Sequence, residues 1–334
     1  MISEYWLGAH DFKIGGLLPK PKDSMEYTIE DKKLELDISL SKSSVIIQEH
    51  DKQTLELEFS GLRKKTAEEL FSFGFRNNRL YVKETSGKHY PMLDAFLHTN
   101  LASDVIVKIP ADVMVSGKIA SINGDIKAAK MEYRGDLKTV SGKIVVEEIS
   151  TDGLNVQNIS GNVFINRLKG FLKGRVVAGD LTVEGGEFNE ISLNSVSGDV
   201  RLSGDFDLEE DGEISTVSGD VHLNIHQCRG DKVLTITTLS GNSSLVGDYP
   251  DGAIVIKPRM PFLKNHPFKS FIPSFKDMFS SFFTTGTKGE SEVEVEAESN
   301  VEENENTKMI LEMLSAGKIT VEEAEKLIRA LGGK

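Results

Sequence analysis

The sequence predicts a mainly β protein, a parallel β-solenoid (β-helix-like) of about 20-residue coils with a small C-terminal α-helical hairpin. Three observations predict it. A motif of the form apolar-x-Gly-polar-apolar recurs in six copies, and a seventh ends in Ser243 instead, with the glycines at 124, 142, 161, 179, 198, 219 and 241. After each copy, apolar residues alternate with period two. Helical signals are confined to the region beyond the last copy.

Composition bounds the rest. The chain has 334 residues, 39% of them apolar, enough for an elongated repeat domain with appendages. Its formal net charge of −13 argues against a nucleic-acid partner. The single cysteine, Cys228, excludes an internal disulfide and a Cys-based zinc site, and reads as a small buried hydrophobe. The N-terminus lacks a basic region followed by a long apolar run, so no signal peptide is visible. No stretch approaches the roughly 20 apolar residues of a transmembrane helix. The expectation is a soluble, cytoplasmic protein, associated with the inner face of the membrane if its Phe-rich segment engages lipid; a cell-surface protein without disulfides is the alternative.

Along the chain, residues 1–24 carry no assignable pattern. Residues 25–114 hold less regular alternating runs, Leu34/Leu36/Ile38/Leu40, Leu55/Leu57/Phe59 and Val105/Val107/Ile109. These read as a β lead-in that covers the first edge of the solenoid. Residues 115–257 are the regular coils. Steps between successive motif glycines are 18, 19, 18, 19, 21 and 22 residues. Two residues before each Gly stands Ile, Val or Leu; two after it stand Ile126, Ile144, Val163, Leu181, Val200, Val221 and then Ser243. A second strand follows in most units, as Ile191/Leu193, Leu234/Ile236 and Ile254/Ile256, and its parity slips by one before the next motif. A corner or bulge must therefore sit there, giving strand, loop, strand, corner. One coil cannot bury its own apolar face, whereas stacked coils share a core. Gly124, Gly142, Gly161, Gly179, Gly198, Gly219 and Gly241 mark a corner with positive φ or a place where an inward side chain does not fit.

Residues 258–289 form a Phe-rich amphipathic segment. Seven of the seventeen Phe fall between 262 and 283, and Phe271, Phe275 and Phe279 lie on one helical stripe. It reads as a cap on the solenoid, or as a surface meeting a membrane through residues 262–283 with Lys264, Lys269 and Lys276. Residues 290–305 carry eight Glu and no Lys or Arg, an acidic linker. Residues 306–334 form a helical hairpin: Gly317 stops the first helix, and Thr320-Val-Glu-Glu323 is a capping box for the second. Leu311, Leu314, Leu327 and Ile328 belong to its shared apolar face. Two helices this short need a partner, so the hairpin is expected to bind a protein or to self-associate. With five basic and four acidic residues from 307 onward, it lacks the charge of a DNA-binding motif.

Chemistry is sparse. Asp125, Asp180, Asp199 and Asp220 recur in the motif, but Lys143, Asn162 and Asn242 take the same slot elsewhere. They read as polar turn residues, with Asp180, Asp199 and Asp220 as weak cation candidates and no other metal or cofactor site. A carbohydrate-binding or carbohydrate-active β-helix would need such carboxylates clustered in a groove. No His-Glu-x-x-His, phosphate loop or nucleophile elbow is present, so no catalytic residue is assigned.

The Val-Ser-Gly-Asp-Val series, at Val196–Val200 and Val217–Val221 and preceded by the strand Val105–Pro110, resembles the "putative adhesin" family of bacterial β-strand-repeat proteins, a domain of unknown function. The run Met309–Leu327 is similar to the short helical hairpin of Gram-positive envelope-stress proteins. Together the resemblances span about residues 30–257 and 307–331. They imply a non-enzymatic role in envelope stress or surface adhesion, with no catalytic residues to carry over.

Overall fold

The computed structural model describes residues 23–62, 65–85 and 103–257. All lie in the first of two units into which the chain divides, residues 1–259 and 260–334. The described residues are almost all strand. In order they form β1 (Asp23–Thr28), β2 (Lys33–Leu40), β3 (Ser44–His50), β4 (Thr54–Ser60), the one-turn helix α1 (Ala67–Leu70), β5 (Phe71–Arg76) and β6 (Arg79–Glu84). There follow β7 (Asp104–Pro110), β8 (Met114–Ser121), β9 (Ile126–Thr139), β10 (Ile144–Ser160), β11 (Val163–Ala178) and β12 (Leu181–Ser197). The last are β13 (Val200–Asp207), β14 (Gly212–Thr216), β15 (Val221–Arg229), β16 (Leu234–Thr238), β17 (Ser243–Gly247) and β18 (Ile254–Lys257).

Coil stacks on coil by parallel pairing in the register that the repeat dictates. Ile126, Ile144, Val163, Leu181 and Val200 are partners in successive rungs, and so are Ala128, Val146, Ile165, Val183 and Leu202. The column ends at Val221 and Leu223, with Ser243 and Leu245 above them. Every member up to Leu223 is at most 2% exposed. Each buried Val, Leu or Ile of this kind contributes about 1.5–3 kcal/mol. Phe188 and Phe206 continue the stacking, their ring centroids 4.9 Å apart.

Two features differ from the expected strand–loop–strand unit. Strands β9 to β12 run unbroken for 14 to 17 residues, through both straight segments of a coil. The turn between the segments is a bulge, seen where the register shifts between Thr151 and Leu154. A bulge bends the strand without surrendering the ladder on either side.

The stacking also begins earlier than residue 115. β2 pairs in parallel with β8, and Val45 of β3 lies in register with Ile126. Residues 33–50 therefore make the first coil, with Ser41–Ser43 as its corner. The antiparallel strands finish this end. β5 pairs with β6 beside β2, while β1 and β4 pair beside β7. At the other end, among the described residues, β17 pairs only with β15 and β18 only with β16. That edge is blunted by a four-residue strand, by Ser243 in place of an aliphatic residue, and by Pro250 beside β18.

Candidate functional site

The motif corner is where the recurring polar residues gather. The seven glycines stack into one column. A Cβ on Gly142, Gly161, Gly179, Gly198, Gly219 or Gly241 would lie 1.9–2.4 Å from the carbonyl oxygen of the preceding glycine in the column. Gly124 makes the same approach, 1.9 Å, to the carbonyl of Ser43. Gly161, Gly179 and Gly198 also have a φ of 143°. Close backbone approach is common to all seven and the positive φ is not, so the approach is the general reason for Gly here.

Three residues before each glycine lies a buried column that hydrophobic patterning does not reveal. Ser121, Thr139, Asn158, Ser195, Thr216 and Thr238 fill it, with Val176 in the fourth rung. Their side chains satisfy the corner backbone. Ser121 and Thr139 accept from the amides of Gly124 and Gly142 at 2.9 and 3.0 Å. Thr216 donates to the carbonyl of Gly219 at 2.7 Å, and Asn158 to that of Gly142 at 2.9 Å. A buried hydroxyl is tolerated because its hydrogen bond is made. The alternation of Ile191 and Leu193 runs on unbroken to Ser195 and leaves Val196 outside, so the parity slip that hydrophobicity places before Val196 falls instead at the corner, between Ser195 and Val200.

The outward consequence is a second apolar column, the residues two before each glycine. Ile122, Val140 and Ile159 are buried yet stand apart from the core cluster. Val177, Val196 and Val217 are half-buried, and Leu239 is 40% exposed.

The motif carboxylates also act structurally. Each Oδ1 accepts the amide of the same position one coil on: Asp125 from Lys143 (2.9 Å), Asn162 from Asp180 (3.1 Å), Asp180 from Asp199 (2.9 Å), Asp199 from Asp220 (2.9 Å) and Asp220 from Asn242 (2.7 Å). Asp and Asn interchange in this slot because either supplies an acceptor oxygen. Lys143 supplies none, and the series restarts at Asn162. Of the three cation candidates, Asp180 and Asp199 already share an organic cation. The Arg201 guanidinium lies 3.0 Å from Asp180 Oδ2 and 2.5 Å from Asp199 Oδ2, and offsets the repulsion of stacked like charges. Among the described residues no group of three or more His, Cys, Asp or Glu is placed to hold a metal ion.

Other polar groups form local contacts. Ser203, Asn224 and His226 cluster on the exposed face, with Ser203 Oγ 3.2 Å from His226 Nε2. Asn224 Nδ2 lies 3.4 Å from the same nitrogen, and the cluster is exposed instead of set in a cleft, so it lacks the arrangement of a nucleophile and base. Cys228 packs partly against the core, and burial, then the charge of Asp207, pushes its thiol pKa up, away from reactivity. Tyr133, 1% exposed, donates to the carbonyls of Gly117 and Asp136 at 2.9 and 3.0 Å, and its pKa is raised by burial.

Phe271, Phe275, Phe279, Leu311, Leu314, Leu327 and Ile328 lie outside the described residues. So do the Phe-rich segment, the acidic linker and the hairpin. Among the described residues, no helix is long and apolar enough to cross a membrane.

A SHOCT-like domain model matches residues 305–334. No curated protein matches the chain. Among solved structures, the chain is similar to a "putative adhesin" from Bacteroides fragilis, with 14% identity and a TM-score of 0.37, covering 72% of this chain and 99% of that one. Similar proteins so described come from Parabacteroides distasonis (13%, TM-score 0.32, covering 70% and 96%) and Parabacteroides merdae (11%, TM-score 0.30, covering 71% and 96%). At such identities and scores these structures carry no argument. The sequence match does more: the Toastrack DUF4097 model covers residues 33–248, from the first strand of the first coil to the last rung but one. That match spans the stacked Gly corners up to Gly241, and the chain belongs to the Toastrack DUF4097 family.

Proposed function

We propose that this protein is a non-enzymatic, adhesin-like scaffold linked to bacterial cell-envelope stress, in which the solenoid presents a binding surface and residues 306–334 act as a tethered protein-interaction module. One observation carries the non-enzymatic part. The recurring carboxylates, the natural candidates for chemistry, spend their oxygens on the amides of the next coil and on Arg201. A carbohydrate-active β-helix needs carboxylates free in a groove, and nothing in this corner favours that reading.

The interaction module rests on the SHOCT-like match at 305–334 and on the physical marginality of two short helices. A short apolar hairpin beyond an acidic linker gains stability by docking, either to a second copy or to another protein. Deleting residues 306–334 is expected to lower the mass measured by light scattering while leaving the far-ultraviolet strand signal intact. An unchanged mass counts against self-association. A scaffold role through this module would then require a purified partner whose binding is abolished by the same deletion. Liposome co-sedimentation of chains with and without residues 262–283 tests the membrane-surface alternative, and equal pelleting of both would end it.

A further inference from the structure

Exposed apolar surface on the described solenoid concentrates at its last rung. Among the described residues seven large hydrophobic side chains are exposed, and five of them, Leu239, Val246, Tyr249, Val255 and Ile256, fall in residues 239–257. Val246 is 60% exposed. Ile256 heads a core column that is 0% exposed at Ile214 and Ile236, yet is itself 46% exposed. Scattered apolar residues are ordinary on a protein surface, whereas a cluster confined to one end marks a contact.

The backbone is open at the same place. The amide of Val221 donates to the carbonyl of Asn242, and that of Leu234 to the carbonyl of Ala253, both at 2.9 Å. Alternate residues of a strand turn their groups to opposite sides, so Ser243 and Leu245 of β17 and Ile254 and Ile256 of β18 turn theirs away from the stack. Among the described residues no strand receives them. Ser243 Oγ, at the head of its column, is also buried without a hydrogen-bond partner. The devices that blunt this edge shorten it but do not charge it: β17 has no charged side chain, and β18 has only Lys257.

The complement of this edge is a second copy of itself. Turned about a two-fold axis perpendicular to the stack, another last rung lays each edge strand antiparallel to one of the first copy, so that open amides meet open carbonyls and apolar meets apolar. Such an assembly closes at two. The N-terminal end offers no match for head-to-tail growth, because its outer strand β1 carries Asp23 and Glu26, and its Met25 and Tyr27 are half-buried. Strands of five and four residues span about 17 and 14 Å, on faces about 10 Å apart. The contact is therefore at the small end for specific association, which makes the dimer weak and concentration-dependent. We propose that the last rung, through the open edges of β17 and β18, is a self-association surface that joins two copies of this chain end to end, independently of residues 306–334.

Spin-label distances between copies of the full-length chain test this. In a Cys228→Ser background, Ser244→Cys carries a nitroxide on the outer face of β17, and Thr182→Cys carries one three rungs down the same column. As concentration rises from about 10 μM to about 1 mM, labels at 244 are expected to come within about 25 Å of each other and labels at 182 to about 34 Å. Ile256→Lys puts a charge into the contact, and Val246→Lys puts one on its exposed flank. Each is expected to cut the short-distance population at 244 about tenfold while circular dichroism keeps its strand signal. Val246→Lys, at the more exposed position, keeps the test decisive if Ile256→Lys loses stability. No short distance at 244 up to about 1 mM overturns the proposal, whether the edge is then free or taken by another segment or protein. A mass of two chains without that short distance overturns it as well, as does a short distance that persists in both lysine variants.

Discussion

Substituting alanine into the glycine column separates two physical demands on the corner. A Cβ at position 219 would lie 1.9 Å from the carbonyl oxygen of Gly198, a backbone atom that cannot swing aside. Ordinary contact needs about 3.4 Å, so the rung must part locally, and overpacking of this kind costs about 1–3 kcal/mol. At position 198 the approach to Gly179 is 2.0 Å and φ is 143°. Placing a side chain in that region adds about 1–3 kcal/mol of backbone strain. Gly153 is the control, because a Cβ there would meet nothing closer than the Arg134 side chain at 3.8 Å. Gly153→Ala is therefore expected to change stability by less than about 1 kcal/mol, with Gly219→Ala worse and Gly198→Ala worst of the three. Urea unfolding followed by circular dichroism, compared at the midpoints, measures the order. Equal midpoints for Gly219→Ala and Gly153→Ala would refute the reasoning, because the close approach would then cost nothing.

Three further outcomes follow from the corner and the cap. Asp199→Asn keeps an acceptor for the Asp220 amide and should cost less than Asp199→Ala, which loses a hydrogen bond worth about 1–2 kcal/mol; denaturant midpoints decide, and equal losses would mean that the acceptor is immaterial. Arg201→Ala leaves Asp180 and Asp199 facing each other without their shared cation, so its deficit should shrink as salt rises from low to about 0.5 M; a salt-independent deficit would assign the effect to packing instead. Asp104 has a raised pKa, chiefly through burial, so the folded state holds its proton more tightly than the unfolded chain does. That contribution favours folding below the ordinary aspartate value of 3.8 and is lost as pH rises through the higher folded value, so Asp104→Asn should raise the melting temperature more at pH 7 than at pH 4. A shift of the same size at both pH values would contradict it.

The repeat was legible because its strongest constraint falls on a residue type. Backbone approach admits only Gly, so the column appears as a fixed letter at a near-fixed interval. The same physics explains what was hidden. The first coil carries Ser43 in the Gly position: a residue in this column needs to be Gly only where it lies against the carbonyl of an earlier rung, and no regular coil precedes this one. Hydrophobicity also misplaced the corner, because Ser195 and Thr216 are buried by hydrogen bonding to backbone, a reason that leaves no apolar trace. The role of Asp180 and Asp199 was half legible. Their exchange with Asn and Lys spoke against catalysis, but the partner Arg201, two residues from Asp199, was visible only once coils were stacked.

The glycine corner also makes length a counted quantity. Since each rung is tied to its neighbour at the same letter, the unit that can be gained or lost without mispairing is one whole interval, such as the nineteen residues from Asp180 to Gly198. Their removal would set Asp199 directly after Gly179, preserve the Gly-Asp junction and shorten the stack by one step of about 4.8 Å. Partial insertions fit best at the outer bends, residues 208–211 between β13 and β14 and residues 230–233 between β15 and β16. A fold built this way changes its reach in discrete steps while every corner keeps the same chemistry.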